Sequence, residues 1–220
     1  MFIEIPDLLN ADQLRRLQEI GASARFVDGR ISNPNNETKN NLQMDLADSA
    51  YEESAKIMAQ AMWRNDTVMN FAFVHRLAPP LMCRYKPDMA YGMHSDNAYV
   101  NVGGSMLRSD VSATIFLAAP DTYEGGELAI HLGERTVDIK LPAGAAVLYP
   151  STTLHEVRPV TSGERLVGIT FIESQIRDEQ QRHLLYTLNE VAAVEGEHIS
   201  WENRVLLQHV SASLERMWSG

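Results

Sequence analysis

Residues 127–149, ELAIHLGERTVDIKLPAGAAVLY, contain three short apolar runs separated by two turns. The first turn is at Gly133-Glu134 and the second is at Pro142-Ala143-Gly144. Short runs with β-branched and aromatic residues are typical of β-strands, and glycine and proline mark the tight connections between them. The segment therefore predicts consecutive strands that are joined by turns rather than by crossover helices.

Similar runs lie on both sides of this segment. They span residues 71–75, 82–85, 112–117, 155–158 and 166–171. Many short strands at close spacing favour a sandwich or barrel over alternating strands and helices. We therefore predict a mainly β protein with flanking helices, whose core is a double-stranded β-helix (jelly roll).

Helices are predicted at both ends of the chain. Asn10 with Gln13 resembles a capping box, and an apolar stripe then ends at Gly21. A second helix is predicted from about Asp48 to Trp63, after a polar loop over 28–45. Two apolar stripes, in 184–192 and 205–214, predict a C-terminal two-helix appendage.

These patterns divide the chain into three parts. Residues 1–70 are predicted to be N-terminal helical support, 71–174 the jelly roll, and 175–220 the C-terminal helical appendage. Apolar helix faces that follow a finished β unit need a partner surface. We expect them to cap the jelly roll or to form a homo-oligomer.

Composition narrows the classes of partner. The chain has 29 acidic and 19 basic residues, and this net charge of −10 disfavours binding to nucleic acid. The N-terminus lacks a signal-peptide pattern, and no apolar run approaches the ~20 residues that span a bilayer. The single cysteine, Cys83, lies in an apolar run and predicts a buried, inert thiol. We expect a cytoplasmic protein that does not associate with membranes.

The residues that carry chemistry begin with His94-Ser95-Asp96. Side chains two apart on a strand point to the same face, so His94 and Asp96 can present an imidazole and a carboxylate to one ion. His155, on a distant predicted strand, can supply the third ligand. Two histidines and one carboxylate with open positions are diagnostic of non-haem Fe(II) oxygenases.

Arg165, ten residues after His155, is a candidate anchor for a dicarboxylate cosubstrate. A guanidinium makes bidentate, charge-assisted bonds to a carboxylate. It would hold the far carboxylate of 2-oxoglutarate while the 2-oxoacid end chelates iron and O2 takes the last position. The turn Thr161-Ser162-Gly163 predicts a hairpin between the strands of His155 and Arg165. Tyr85 could add a hydroxyl donor to the cosubstrate.

Two other classes of function remain open on these residues. One is a cupin-like metal or small-ligand binding module, for example a sensor without oxygenase activity. Such a module does not need Arg165, and the chain lacks the second His-x-His cluster typical of cupins. The other is an interaction protein whose C-terminal helices do the work beside a relict metal site.

The spaced motifs also resemble a known family. They are Tyr91-Gly92-Met93-His94-Ser95-Asp96, Tyr123-Glu124-Gly125-Gly126-Glu127-Leu128, Pro150-Ser151-Thr152-Thr153-Leu154-His155-Glu156-Val157 and Gly163-Glu164-Arg165. Together they resemble the Fe(II)/2-oxoglutarate dioxygenases of prolyl 4-hydroxylase type. The similarity is greatest to the bacterial PKHD-type hydroxylases, some of which are described as iron-uptake factors.

The resemblance implies His94, Asp96 and His155 as iron ligands and Arg165 as the cosubstrate anchor. It also implies oxidative decarboxylation of 2-oxoglutarate to succinate and CO2, coupled to hydroxylation of a small-molecule or peptide substrate, with L-ascorbate as a reductant. One departure is that Phe116 stands where some prolyl hydroxylases have a cosubstrate-binding tyrosine. The polar segment 97–109 is a candidate lid or a plain surface loop.

Overall fold

The computed structural model describes residues 1–220. The helices are α1 Ala11–Ser23, α2 Tyr51–Arg64, α3 Asp66–Ala72, α4 Glu179–Glu195 and α5 Trp201–Trp218. The strands are β1 Ile3–Ile5, β2 Phe26–Asp28, β3 Lys39–Asn40, β4 Leu42–Met44, β5 Val74–Leu77, β6 Leu81–Tyr85, β7 Ala90–His94, β8 Tyr99–Val102, β9 Ser105–Arg108, β10 Val111–Phe116, β11 Tyr123–Gly125, β12 Leu128–Leu132, β13 Arg135–Ile139, β14 Ala146–Pro150, β15 His155–Val157, β16 Val160–Gly163 and β17 Arg165–Ser174.

Two antiparallel sheets form the jelly roll. The major sheet has the order β1-β14-β10-β17-β6-β4-β2, with β5 also paired to β17, and the minor sheet has the order β13-β12-β15-β7-β3. One buried cluster of apolar side chains is drawn from strands of both sheets and fills the space between them. The predicted fold class, a jelly roll with flanking helices, is confirmed.

The alternation along β10 shows how one strand serves two cores. Val111, Ala113 and Ile115 belong to the cluster that packs under the N-terminal helices. Phe116 belongs to the cluster between the sheets. Ser112 and Thr114, on the same face as Phe116, line the cavity between the sheets. The two-residue period of a strand therefore aims polar side chains at the site and apolar ones at the helices.

Helix α1 begins as predicted and ends later than predicted. The Asn10 side chain accepts a hydrogen bond from the backbone amide of Gln13, and the Gln13 side chain accepts one from the backbone amide of Asn10. These two bonds form the expected capping box. The prediction that Gly21 ends the helix was wrong, because α1 continues to Ser23. A Cβ on Gly21 would lie 2.5 Å from Leu166 Cδ2, so this glycine permits close packing of α1 on the major sheet.

Two further boundaries were wrong. The predicted strand over 71–75 overlaps α3, and β5 begins only at Val74, because Phe73 caps the helix in the left-handed region with φ 45°. The predicted loop over 28–45 contains β3 and β4, which join the minor and the major sheet respectively. Met44 is fully buried there. Pairing with distant strands therefore forms these two strands, which the polar local composition does not predict.

Segment 97–109 is a β-hairpin, β8–β9, that turns at Gly103 and Gly104, both with positive φ. Leu107 is buried, and Arg76 holds the hairpin through a bond to the Met106 carbonyl at 3.1 Å. The segment is thus ordered β structure beside the site, and its movement as a lid stays a prediction.

The C-terminal appendage consists of α4 and α5, as predicted. Leu185 packs with Phe73 and Ile176 in a small cluster that also contacts Leu214 and Trp218. None of the helices is both long enough and apolar enough to cross a bilayer. The predicted burial of Cys83 is confirmed, and burial raises the pKa of this thiol to about 11.

Candidate metal centre

The two predicted histidine ligands lie on neighbouring antiparallel strands. His94 ends β7 and His155 begins β15, and the two are directly paired in the register of these strands. Nδ1 of His94 is 2.8 Å from the Gly92 carbonyl, and Nδ1 of His155 is 2.9 Å from the Thr153 carbonyl. Donation from Nδ1 to a carbonyl fixes the tautomer and leaves Nε2 free to bind a metal.

Asp96 completes the cluster just beyond the end of β7. Its Oδ1 is 3.9 Å from His94 Nε2 and its Oδ2 is 3.8 Å from His155 Nε2. One ligand atom from each of the three residues can be chosen so that all lie within 4.8 Å of one another. Two imidazoles and a carboxylate therefore converge on one small region, and this donor set suits Fe(II).

Burial keeps His94 in the form that binds metal. Desolvation, with a smaller contribution from the neighbouring His155 ring, lowers the pKa of His94 to about 4. The Tyr91 ring stacks on the His94 ring, with centroids 3.7 Å apart and an interplanar angle of 18°. At neutral pH the imidazole is thus uncharged and held in one orientation.

A chain of serine hydroxyls supports the carboxylate. Ser112 Oγ donates to Asp96 Oδ2 at 2.5 Å and is 2.8 Å from Ser151 Oγ, which accepts from Ser109 Oγ at 2.8 Å. The Asp96 amide also donates to the Ser151 carbonyl at 3.2 Å. Ser112 thus engages Oδ2, whereas Oδ1 accepts no hydrogen bond within the chain. Sequence reasoning missed these serines, although Ser112 stands out as polar in an apolar strand.

Arg165 lines the same cavity, but the strand connection that places it there differs from the prediction. The expected hairpin with the His155 strand was wrong: β15 belongs to the minor sheet, β16 pairs with β11, and Arg165 begins β17 of the major sheet. The side chains of His155 and Arg165 therefore approach one cavity from opposite sheets.

The Arg165 guanidinium is buried without an acidic partner. The residue is 1% exposed, no carboxylate lies within 4.0 Å, and Nε has no hydrogen-bond partner. Its Cζ is 5.0 Å from the Tyr85 ring centroid and 5.8 Å from that of Phe116. An isolated buried cation is unfavourable, so this environment fits the carboxylate of a ligand.

Tyr85 and Tyr149 bring two phenols to the cavity. Tyr85 is directly opposite Arg165 in the pairing of β6 and β17, and the ring centroid of Tyr149 is 4.9 Å from that of His155. Burial raises the pKa of both phenols, so each keeps its proton and can donate it in a hydrogen bond. Phe116 is fully buried and supplies no hydroxyl there.

The comparisons with known proteins agree with this geometry. A family model described as the 2OG-Fe(II) oxygenase superfamily matches residues 80–173. A PKHD-type hydroxylase of Sphingopyxis alaskensis is 51% identical over 215 residues, which cover 98% of each chain. Another, from Beijerinckia indica, is 37% identical over 224 residues, which cover 100% of this chain and 99% of the relative.

A solved structure shows the same fold. A prolyl-4-hydroxylase of Pseudomonas putida superposes with a TM-score of 0.55 at 21% identity, and the match covers 79% of this chain and 92% of that one. The matched model together with the two relatives defines a non-haem iron oxygenase that uses 2-oxoglutarate. Because the similarity to the S. alaskensis relative extends over almost the whole length, the chain belongs to the PKHD-type hydroxylases. It is an Fe(II)- and 2-oxoglutarate-dependent dioxygenase, and the cupin-like and interaction-protein alternatives are set aside.

Proposed function

We propose that His94, Asp96 and His155 hold the iron of this hydroxylase, and that Arg165 and Tyr85 hold 2-oxoglutarate. The observation that carries the proposal is the convergence of the three ligand atoms within 4.8 Å in a cavity that Arg165 also lines. When bound, iron and 2-oxoglutarate supply the oxidising chemistry, which consumes O2 and releases succinate and CO2.

The side chains of the protein determine how iron and 2-oxoglutarate would be bound and oriented. Two imidazoles and one carboxylate oxygen on one face leave room for a chelating cosubstrate and O2. The bond from Ser112 to Asp96 Oδ2 supports metal binding through Oδ1 alone. A carboxylate that bound through both oxygens would take up a coordination position that the cosubstrate or O2 needs. Arg165 fixes the far carboxylate and so sets the orientation of the reactive end.

A spectroscopic experiment tests these assignments. Fe(II) and 2-oxoglutarate are added to the purified protein without oxygen, and the visible charge-transfer band of the chelate is recorded. We expect the band in wild type and in His75→Ala, whose histidine is exposed on β5. We expect no band in His155→Ala. A band of full intensity in folded His155→Ala would remove this residue from the ligand set.

Ascorbate is proposed as the reductant that keeps the iron ferrous during turnover. The support is the family membership of the chain, since the reductant needs no dedicated pocket. Succinate release is expected to decline within repeated turnovers when ascorbate is omitted and to recover when it is added. Identical time courses with and without ascorbate would contradict this role.

Self-association through the C-terminal helices is a further proposal, with a second copy of this chain as the partner. Helix α5 has no buried residue, and Trp201, Leu206 and Met217 are 70%, 61% and 74% exposed. A helix with apolar residues gains stability by covering them. Light scattering at micromolar concentration should give twice the chain mass and should give the monomer mass for Leu206→Glu. A monomer mass for wild type would overturn the proposal.

The cytoplasm is proposed as the compartment. Its support is the single thiol, Cys83, which is buried and has no cysteine partner in the chain. Fractionation of cells that express the untagged protein should recover it with cytoplasmic markers, and recovery with secreted proteins would contradict the proposal.

A further inference from the structure

Lys39 is a second buried cation in the iron cavity. It is 7% exposed and lines the cavity together with the three metal-centre residues and Arg165. No carboxylate lies within 4.0 Å of its ammonium group, whose hydrogen bond in the chain goes to Ser32 Oγ at 2.7 Å. Burial lowers the pKa of Lys39. The ammonium group is thus removed from water without a carboxylate in ion-pair contact, and Asp96 and Asp28 act on its charge only from a longer distance.

The position of Lys39 separates it from Arg165. Lys39 lies on β3 at the edge of the minor sheet and is paired with Tyr91, whereas Arg165 lies on β17 of the major sheet. Nζ of Lys39 is 5.3 Å from the centroid of the Tyr91 ring, which stacks on His94. Its hydrogen-bond partner Ser32 is exposed. Lys39 therefore lines the cavity from the minor sheet, beside the Tyr91 ring that stacks on His94.

The charges of the loaded site leave Lys39 unpaired. Fe(II) carries two positive charges, which Asp96 and a dianionic cosubstrate more than offset, and Arg165 restores the balance. The histidines are neutral ligands. Asp28 also acts on Lys39 from a distance, but its carboxylate is already paired with Arg30. Lys39 then adds one positive charge with no ion-pair partner, and a buried charge is unfavourable unless it is paired.

We propose that Lys39 binds a carboxylate group of the primary substrate and places that substrate beside the iron. This inference rests on the proposed assignment of the metal centre, and it names the substrate class as molecules that carry a carboxylate near the carbon to be hydroxylated. The aromatic ring of the neighbouring Tyr91 forms one side of the same subsite. Its hydroxyl accepts a hydrogen bond from Asn33 Nδ2 at 3.1 Å.

The test compares acids with amides at the loaded site. A set of N-acetyl amino acids and the matching primary amides is titrated, without oxygen, into protein that holds Fe(II) and 2-oxoglutarate. Binding is read from the change in the visible charge-transfer band. The proteins are wild type, Lys39→Met, Lys39→Gln and the control Lys56→Met, whose lysine is exposed on α2.

We expect at least one acid to bind wild type and Lys56→Met at least tenfold more tightly than its amide does. Both Lys39 variants should lose this preference and bind 2-oxoglutarate within twofold of wild type. The proposal is overturned if no acid binds, if amides bind equally well, or if the preference survives in either Lys39 variant. It is also overturned if both variants bind 2-oxoglutarate tenfold more weakly, because Lys39 would then hold the cosubstrate. An absent band in wild type would instead overturn the metal assignment.

Discussion

Replacing Arg165 with methionine should weaken cosubstrate binding without lowering the stability of the fold. The guanidinium is 1% exposed and has no acidic partner in the chain, so the folded protein buries an uncompensated cation. Methionine has a similar length and no charge. Replacing buried charges with apolar side chains of similar volume is often neutral or stabilising. The free energy of unfolding without 2-oxoglutarate should therefore be unchanged or higher in Arg165→Met.

Binding of 2-oxoglutarate should weaken markedly in the same variant. Hydrogen bonds to charged groups contribute about 1.5–3 kcal/mol each. Loss of a two-bond fork, partly offset by water, is expected to remove about 3 kcal/mol, which corresponds to a rise in Kd of about 150-fold. Arg165→Lys keeps the charge and loses the fork, so its loss should be about tenfold.

Two measurements on one set of proteins check this. Urea unfolding gives stability with and without 2-oxoglutarate, and the anaerobic charge-transfer titration gives the Kd. Arg64→Met, at the exposed end of α2, is the control. At a concentration 100 times its Kd, the cosubstrate should stabilise wild type by about 2.7 kcal/mol and Arg165→Met by much less. Lower stability of Arg165→Met with unchanged cosubstrate affinity would show that Arg165 is structural and would refute the reasoning.

Three further predictions follow from the same contacts. Ser112→Ala should weaken Mn(II) binding by about 10- to 100-fold, because it removes the donor that holds Asp96 Oδ2. The control Ser162→Ala, at an exposed serine, should bind Mn(II) as wild type does. Equal Mn(II) affinities in the two variants would contradict this prediction. The metal-free protein should lose stability as pH falls from about 6.5 towards 4, because the unfolded chain protonates His94 at higher pH than the folded chain does. At about 1.4 kcal/mol per pH unit, the loss in the free energy of unfolding approaches about 3 kcal/mol. Urea midpoints that stay level over this range in wild type, or that shift equally in His94→Gln, would count against this prediction. Iodoacetamide should not modify Cys83 in the folded protein at pH 8, because burial raises the pKa of the thiol to about 11, and it should do so once urea unfolds the chain; rapid labelling without urea would show that the thiol is accessible.

The strand pattern predicts the positions of the candidate ligands but not their meeting. His94 and His155 are recognisable in the sequence because each lies in or beside a short β run. Their direct pairing depends on the register of β7 with β15, which are far apart along the chain. The donor set predicts that the three residues meet, but local periodicity carries no information on which distant strands pair, so the register that brings them together required the folded structure.

Arg165 shows a correct residue reached through a wrong connection. The turn near Gly163 has the composition of a hairpin, but the chain there passes from β16, which pairs with β11, to β17 of the major sheet. Gly163 has φ +71°, and a Cβ on it would lie 2.1 Å from the Thr122 carbonyl oxygen. The glycine therefore permits close approach to the chain just before β11, and this packing requirement looks like a turn signal in the sequence.

The supporting residues were the hardest to predict. Ser112 could be suspected, since a hydroxyl within a buried strand needs a partner. Lys39 gave no signal, because it lies in a polar segment in which lysine is ordinary. Only the pairing of β3 with β7 turns its side chain into the cavity. Residues that act through tertiary placement alone have no local pattern to reveal them.

Anomalous diffraction from crystals grown with Mn(II) and 2-oxoglutarate tests the assignment of the metal centre most directly. We predict one strong manganese peak in the cavity, at bonding distance from His94 Nε2, Asp96 Oδ1 and His155 Nε2, with the far carboxylate of 2-oxoglutarate on Arg165. A manganese peak that any of the three side chains does not reach, or a cosubstrate that lies away from Arg165, would contradict the account.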